Sequence, residues 1–179
     1  MRCFIAIELP ADIKENLFNL EKEIGNDYAK IKWIAKKNLH ISLKFLGEVD
    51  EEKLKLTREA LSYVKEKKFV AELGELSWFS SKDDARVIWV GVKPENKIFD
   101  LYGEVELKLG SLFKKDERFT VHLTLGRVKF IKNKEEFLSI LKNTKVKTQS
   151  FIIDNFCLVR SYLSKDGPTY TILEKYALE

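Results

Sequence analysis

The chain holds only two histidines, and each sits in the same short phrase. The first runs Asn38-Leu39-His40-Ile41-Ser42-Leu43-Lys44-Phe45. The second runs Thr120-Val121-His122-Leu123-Thr124-Leu125-Gly126-Arg127. Read as strands, successive side chains point to opposite faces. Leu39, Ile41 and Leu43 then share one face, and His40, Ser42 and Lys44 the other. Val121, Leu123 and Leu125 likewise oppose Thr120, His122 and Thr124. Each strand must therefore bury an aliphatic face in a sheet while presenting one imidazole and one hydroxyl, two residues apart, on the other. Polar-outward alternation alone accounts for a single His-x-Thr. The repeat, half a chain later, points instead to two sheets whose polar faces meet.

The rest of the chain arranges itself around those strands. Residues 2–9 form a buried strand ended by Pro10, and Ile13, Leu17, Leu20 and Ile24 recur at helical spacing up to Gly25. Trp33-Ile34 predicts a short strand. The first histidine strand spans 39–46 and breaks at Gly47. Asp50 caps a helix with Glu51 and Glu52 at its positive end and Leu54, Leu61 and Val64 on its apolar stripe. Strands over 69–79 and 86–92 flank a turn at Ser80-Ser81-Lys82-Asp83-Asp84. Pro94 opens a second half with a helix carrying Ile98, Leu101, Val105, Leu109 and Leu112. The Lys114-Lys115-Asp116-Glu117 linker leads to the second histidine strand over 119–130. Asn133 and Glu136 resemble a capping box. A long strand region covers 147–163, Lys165-Asp166-Gly167 turns, and 168–176 returns. Helix, histidine strand, helix and hairpin recur, which suggests duplication. The expectation is one α+β domain over 1–179, with approximate repeat halves 1–93 and 94–179. Two antiparallel sheets would line a central cleft with helices outside, and strands would cross between the lobes.

With 179 residues, 45% of them hydrophobic, the chain can bury one large core. A net charge of +4 and a pI near 8.9 suit a small or single-stranded phosphate-bearing ligand better than duplex DNA. Cys3 and Cys157 lie in apolar runs and read as buried thiols in a reducing compartment. No segment has the pattern of a signal peptide or a membrane span, so a soluble, cytoplasmic protein is expected. No His/Asp/Glu or Cys/His grouping has metal-ligand spacing, so neither metal nor cofactor is expected.

Two imidazoles and two hydroxyls around one point suit in-line displacement at phosphorus. One ring prepares an attacking water, the other protonates the departing oxygen, and Ser42 and Thr124 donate to the non-bridging oxygens.

The doubled phrase resembles the 2H phosphoesterase superfamily, and within it the RNA 2′,3′-cyclic phosphodiesterases, also called 2′-5′ RNA ligases. Three further stretches carry the likeness: Arg2-Cys3-Phe4-Ile5-Ala6-Ile7-Glu8-Leu9-Pro10, Leu43-Lys44-Phe45-Leu46-Gly47-Glu48-Val49, and Ser161-Tyr162-Leu163 with Gly167-Pro168-Thr169-Tyr170. The resemblance implies a pseudo-symmetric bilobal fold with a central cleft and hydrolysis of RNA 2′,3′-cyclic phosphate ends to a 2′-phosphate. It implies His40 as the acid at the 3′ oxygen and His122 as the base, although the near-identical motifs do not order the two. Ser42 stands where the family usually has Thr, and Val121 where many members have Pro. Arg127 matches a family arginine that could bind phosphate or lie on a base, with Phe45 in the equivalent place of the first motif. Alternation puts Phe45 and Arg127 on the core face unless Gly126 marks a bulge.

Lys44 reads as a solvated strand lysine or a ligand contact. Trp33, Trp78 and Trp89 read as core or edge packing, Arg2 as a carboxylate partner, and Tyr170 and Ser161 as structural. The Lys65–Lys68 run reads as a solvated helix end. The expected partner is RNA ending in a 2′,3′-cyclic phosphate, tRNA fragments among the candidates, bound by a monomer. Two alternatives remain: 2′-5′ ligation of tRNA halves, and a non-catalytic RNA-end binder.

Overall fold

A computed structural model describes residues 1–165 and 167–179. The strands are β1 (Arg2–Glu8), β2 (Ala29–Trp33), β3 (His40–Glu48), β4 (Phe69–Ser81), β5 (Asp84–Lys93), β6 (Leu123–Ile131), β7 (Ser150–Ile153), β8 (Asn155–Ser164) and β9 (Gly167–Ala177). The helices are α1 (Ala11–Ile24), α2 (Glu51–Ser62), α3 (Glu95–Leu109) and α4 (Lys134–Asn143). Two antiparallel sheets result, ordered β3-β1-β8-β9 and β2-β6-β5-β4-β7. This is the expected α+β architecture. Each sheet draws strands from both ends of the chain, since β1 lies between β3 and β8 while β6 lies between β2 and β5. The two motif strands thus occupy different sheets.

Local chemistry explains the boundaries. Asp50 accepts a hydrogen bond from the Lys53 amide, and Asn133 accepts one from the Glu136 amide, so α2 and α4 start at side-chain caps. Lys82 and Asp83 take φ of 50° and 63°, the left-handed pair that a two-residue hairpin between twisted strands demands. One apolar cluster joins the buried faces of both sheets to the helices, with Ile5, Ile41, Leu43, Ile88, Leu123 and Leu125 at its centre. Phe4, Ala6, Cys157 and Val159 form a second, smaller cluster, with Tyr170 packed against it.

Several expected boundaries shift. β3 does not break at Gly47: it runs on to Glu48, with Gly47 at φ 70° opposite Cys3. The second histidine strand enters its ladder only at Leu123, so His122 sits at the end of an irregular approach rather than within the sheet. The region 147–163 is two strands in different sheets, β7 beside β4 and β8 beside β1, parted at Asp154. Val64 is buried but lies beyond the end of α2. Asp166, the middle of the expected Lys165-Asp166-Gly167 turn, lies outside the described residues.

Glu21 is an oddity of α1. It is buried at 4% exposure, its Oε1 has no hydrogen-bond partner among the described residues, and burial pushes its carboxyl up to about 8. A carboxyl raised in the fold gives its full stability below the unfolded value near 4.5, and that stability is lost as pH climbs through 8. Glu21→Gln is therefore expected to leave stability near wild type at pH 5 and to raise it by about 1–3 kcal/mol at pH 8.5. Urea melts of both proteins at the two pH values check this.

Candidate active site

Each motif strand carries a one-residue bulge at the same place. In β3, Ser42 pairs with Ala6 and Lys44 with Ile5, leaving Leu43 as the extra residue. In β6, Thr124 pairs with Trp89 and Gly126 with Ile88, leaving Leu125 extra. In both cases the extra residue lies three positions after the histidine. A bulge reverses the alternation downstream of it. His40 and Ser42 remain on the cleft side, as do His122 and Thr124. The next cleft-side residues are then Phe45, 69% exposed, and the exposed Arg127. The core placement that simple alternation gave these two is overturned, and the bulge expected at Gly126 is present.

Lys44 is the corresponding correction. It is neither solvated nor a ligand contact but 1% exposed. Its ammonium hydrogen-bonds the Glu106 carboxylate on α3, donates to the Lys114 carbonyl at 3.0 Å and lies 3.5 Å from Asp116. At the equivalent position of the second motif stands Gly126. A Cβ there would come within 2.7 Å of both Ile31 Cγ2 and Trp33 Cε3.

The two rings are held alike. His40 Nδ1 lies 2.6 Å from the Asn38 carbonyl, and His122 Nδ1 lies 2.8 Å from the Thr120 carbonyl. A carbonyl only accepts, so Nδ1–H donates in each case and Nε2 is left for chemistry. His40 Nε2 lies 2.9 Å from Ser42 Oγ. Each ring also has aromatic neighbours: Phe4 at 5.0 Å and Tyr170 at 5.4 Å for His40, Phe79 at 5.2 Å and Trp89 at 6.2 Å for His122. Burial lowers the His40 pKa and the charges of Lys14 and His122 add to the effect, while the hydrogen bond to Asn38 opposes it. Burial raises the Tyr170 phenol, with Arg127 and Arg2 opposing.

One cleft of about 470 Å³ is lined by His40, Ser42, Phe45, His122, Thr124 and Arg127 together. All six residues singled out in the sequence therefore come to one place. Trp33 and Tyr170, read as packing residues, also line this cleft. Sequence reasoning missed Asn38. Its carbonyl holds His40, and its buried side-chain amide donates to the Pro168 carbonyl at 2.8 Å, tying the motif to the closing hairpin. Its position just upstream of the motif was the only available signal. It also missed Phe4, whose buried ring packs against His40 from the smaller apolar cluster, a place that follows from the register of β1 rather than from any pattern. Among the described residues no helix is long and apolar enough to cross a membrane. Both cysteines are buried and free.

Comparison with known proteins meets this geometry from outside. An RNA 2′,3′-cyclic phosphodiesterase of Methanocaldococcus jannaschii is 36% identical over 178 residues, covering 98% of this chain and all of that protein. One of Archaeoglobus fulgidus is also 36% identical, covering 98% and 99%. Among solved structures, Escherichia coli LigT complexed with 3′-AMP superposes with a TM-score of 0.78 at 25% identity, covering 99% of this chain and 97% of that one. TT0787 of Thermus thermophilus gives 0.78 at 26% identity with the same coverage. The LigT-like phosphoesterase family model matches twice, over residues 7–89 and 90–170, one motif histidine in each match. With both motifs seated in one cleft and nearly the whole length matched, the chain belongs to the LigT-like phosphoesterase family.

Proposed function

We propose that the protein hydrolyses RNA 2′,3′-cyclic phosphate ends to 2′-phosphates without a metal, using His40 as acid and His122 as base. The observation that carries this reading is the shared cleft, in which two imidazoles, each fixed through Nδ1 to a backbone carbonyl, stand with two hydroxyls. The names of the full-length relatives support the substrate.

The reaction follows from the donor geometry. Water attacks phosphorus and yields a proton to His122 Nε2. The P–O3′ bond breaks in line, and O3′ takes the proton from His40 Nε2. The 3′-hydroxyl is restored and the phosphate remains on O2′. Charge building on the non-bridging oxygens is met by the hydroxyls of Ser42 and Thr124 and by the Arg127 guanidinium. Ser42 has a second use. While His40 is neutral, the Ser42 hydroxyl donates to Nε2. Once His40 is protonated, Nε2 no longer accepts, its N–H turns to O3′, and the Ser42 hydroxyl proton is freed for phosphate. Phe45 supplies a face for the nucleobase. We further assign the protein to the cytoplasm as a monomer, with tRNA fragments among its substrates; the two free buried thiols suit a reducing compartment.

The test is turnover of a 2′,3′-cyclic nucleotide in the presence of a chelator, with product regiochemistry read by phosphorus NMR. A 2′-phosphate is expected. A 3′-phosphate, or no turnover until metal is added, overturns the reading.

The pH profile gives a separate prediction. The acid must start protonated, so activity falls as pH rises through the pKa of His40. Because burial lowers that pKa, the limb of kcat/KM that reports His40 is expected below the ordinary histidine value near 6.5. A bound phosphodiester anion favours the imidazolium, so the same limb in kcat should lie at higher pH. Profiles of both parameters check the order. Coincident limbs would remove His40 from the acid role.

A further inference from the structure

We propose that the RNA strand leading up to the cyclic phosphate runs in a second groove beside the cleft, between β3 and residues 113–120. This inference rests on the proposed phosphodiesterase activity and names the form of substrate it takes: an oligonucleotide end, held by its backbone and one stacked base, in preference to a mononucleotide.

The groove has a volume of about 630 Å³ and shares Ser42, Phe45 and His122 with the cleft. The two depressions therefore meet where the phosphate is acted on. A 2′,3′-cyclic phosphate closes the 3′ end of a strand, so the remaining chain leaves from the 5′ side of the terminal nucleoside and needs a path away from the histidines. The cleft, with Trp33, Arg127 and Tyr170, suits the terminal nucleoside, and the groove offers the path.

Three features fit a single strand. Phe45 stands at the junction with 69% of its surface exposed, an apolar face in the position to stack a base. The groove wall carries Lys114, Lys115 and Arg118, all exposed, against Asp116 and Glu117. Three cations against two carboxylates leave the wall net basic toward a ligand, and Asp116 lies 3.5 Å from the buried Lys44 ammonium. The wall is also held in place. Lys44 binds the Lys114 carbonyl from beneath, and Phe119 stacks on Tyr102 with ring centroids 4.0 Å apart and planes 5° apart. A braced basic wall facing an exposed aromatic ring is the arrangement that follows a sugar-phosphate backbone without reading sequence.

The test compares a 2′,3′-cyclic mononucleotide with a trinucleotide carrying the same end, in wild type and in the double variant Lys115→Gln, Arg118→Gln. Neither position belongs to the catalytic set, and both are exposed, so folding is retained. Wild type is expected to favour the trinucleotide by about tenfold or more in kcat/KM. The variant should lose that preference while its rate on the mononucleotide stays within about twofold. The salt slope for the trinucleotide should fall by about 1.4, two phosphate contacts at about 0.7 each. Equal use of the two substrates by wild type, or a preference that survives in the variant, overturns the groove. Should wild type turn over neither substrate, the phosphodiesterase reading fails separately. The groove is then decided by fluorescence anisotropy with a labelled trinucleotide ending in a 2′-phosphate: binding weakened about tenfold in the variant supports it, and unchanged binding overturns it.

Discussion

Replacing either motif histidine with alanine is expected to lower kcat on a 2′,3′-cyclic nucleotide by about 10²–10⁴-fold. The magnitude follows from the loss of one positioned proton donor or acceptor. In the proposed mechanism His40→Ala removes the proton for the departing O3′, and His122→Ala removes the acceptor for the attacking water. The double variant should be far less impaired than the product of the two single losses, because acid and base act in one transition state and what remains comes from phosphate binding and the hydroxyl donors. KM should change little, since the proposed phosphate contacts of Ser42, Thr124 and Arg127 remain. Thermal melts provide the control. Each ring is only partly buried, and each stands at the cleft rather than in the apolar cluster, so Tm should stay close to wild type. A folded His40→Ala or His122→Ala protein with wild-type kcat would end the two-histidine mechanism. The pH profile then separates the roles. His40→Ala should erase the descending limb, and His122→Ala the ascending one. The opposite pattern would exchange acid and base.

How much of this site the sequence disclosed depends on position along each motif. Alternation placed His40, Ser42, His122 and Thr124 correctly, because all four precede the bulge of their strand. Beyond Leu43 and Leu125 it failed, since a bulge is decided by what the neighbouring strand offers. β1 supplies one residue fewer than β3 across that interval, and β5 one fewer than β6. In the second motif Gly126 hinted at the bulge. In the first, a lysine holds the equivalent place and gave no hint, because nothing local predicts a carboxylate sixty-two residues away as its partner. The same limit explains β7 and β8. Residues 147–163 look like one strand, and only pairing partners distant in sequence divide them between two sheets. The duplicated motif, by contrast, was legible, because aliphatic periodicity is a local property that packing in either sheet leaves intact.

Lys44→Met is expected to be the most destabilising single change outside the apolar core. The lysine is 1% exposed, and it meets a Glu106 side chain that is 7% exposed. Methionine fills a similar volume but leaves that carboxylate buried without its cation, a loss of about 3–5 kcal/mol. For a chain of this length that corresponds to a fall in Tm of roughly 6–20 °C, at about 2–4 °C per kcal/mol. The cause can be separated from loss of packing. Adding Glu106→Leu removes the stranded charge, and the double variant should recover most of the stability, since replacing both members of a buried pair by apolar groups is often neutral or better. Activity should not recover with it. Lys44 also binds the Lys114 carbonyl and faces Asp116, and this segment leads through irregular backbone to His122. Without the ammonium, nothing in the double variant replaces that link between the first motif strand and the approach to the second histidine. A stable Lys44→Met, Glu106→Leu protein is therefore expected to show a reduced kcat with a smaller change in KM, the signature of a displaced base rather than a lost binding contact. Lys44→Arg, which keeps the charge and can span the same acceptors, should restore part of kcat in the otherwise wild-type chain. If the stable double variant turned over at the wild-type rate, Lys44 would be a stability element alone, and the approach to His122 would hold its shape through the packing of Phe119 and Val121.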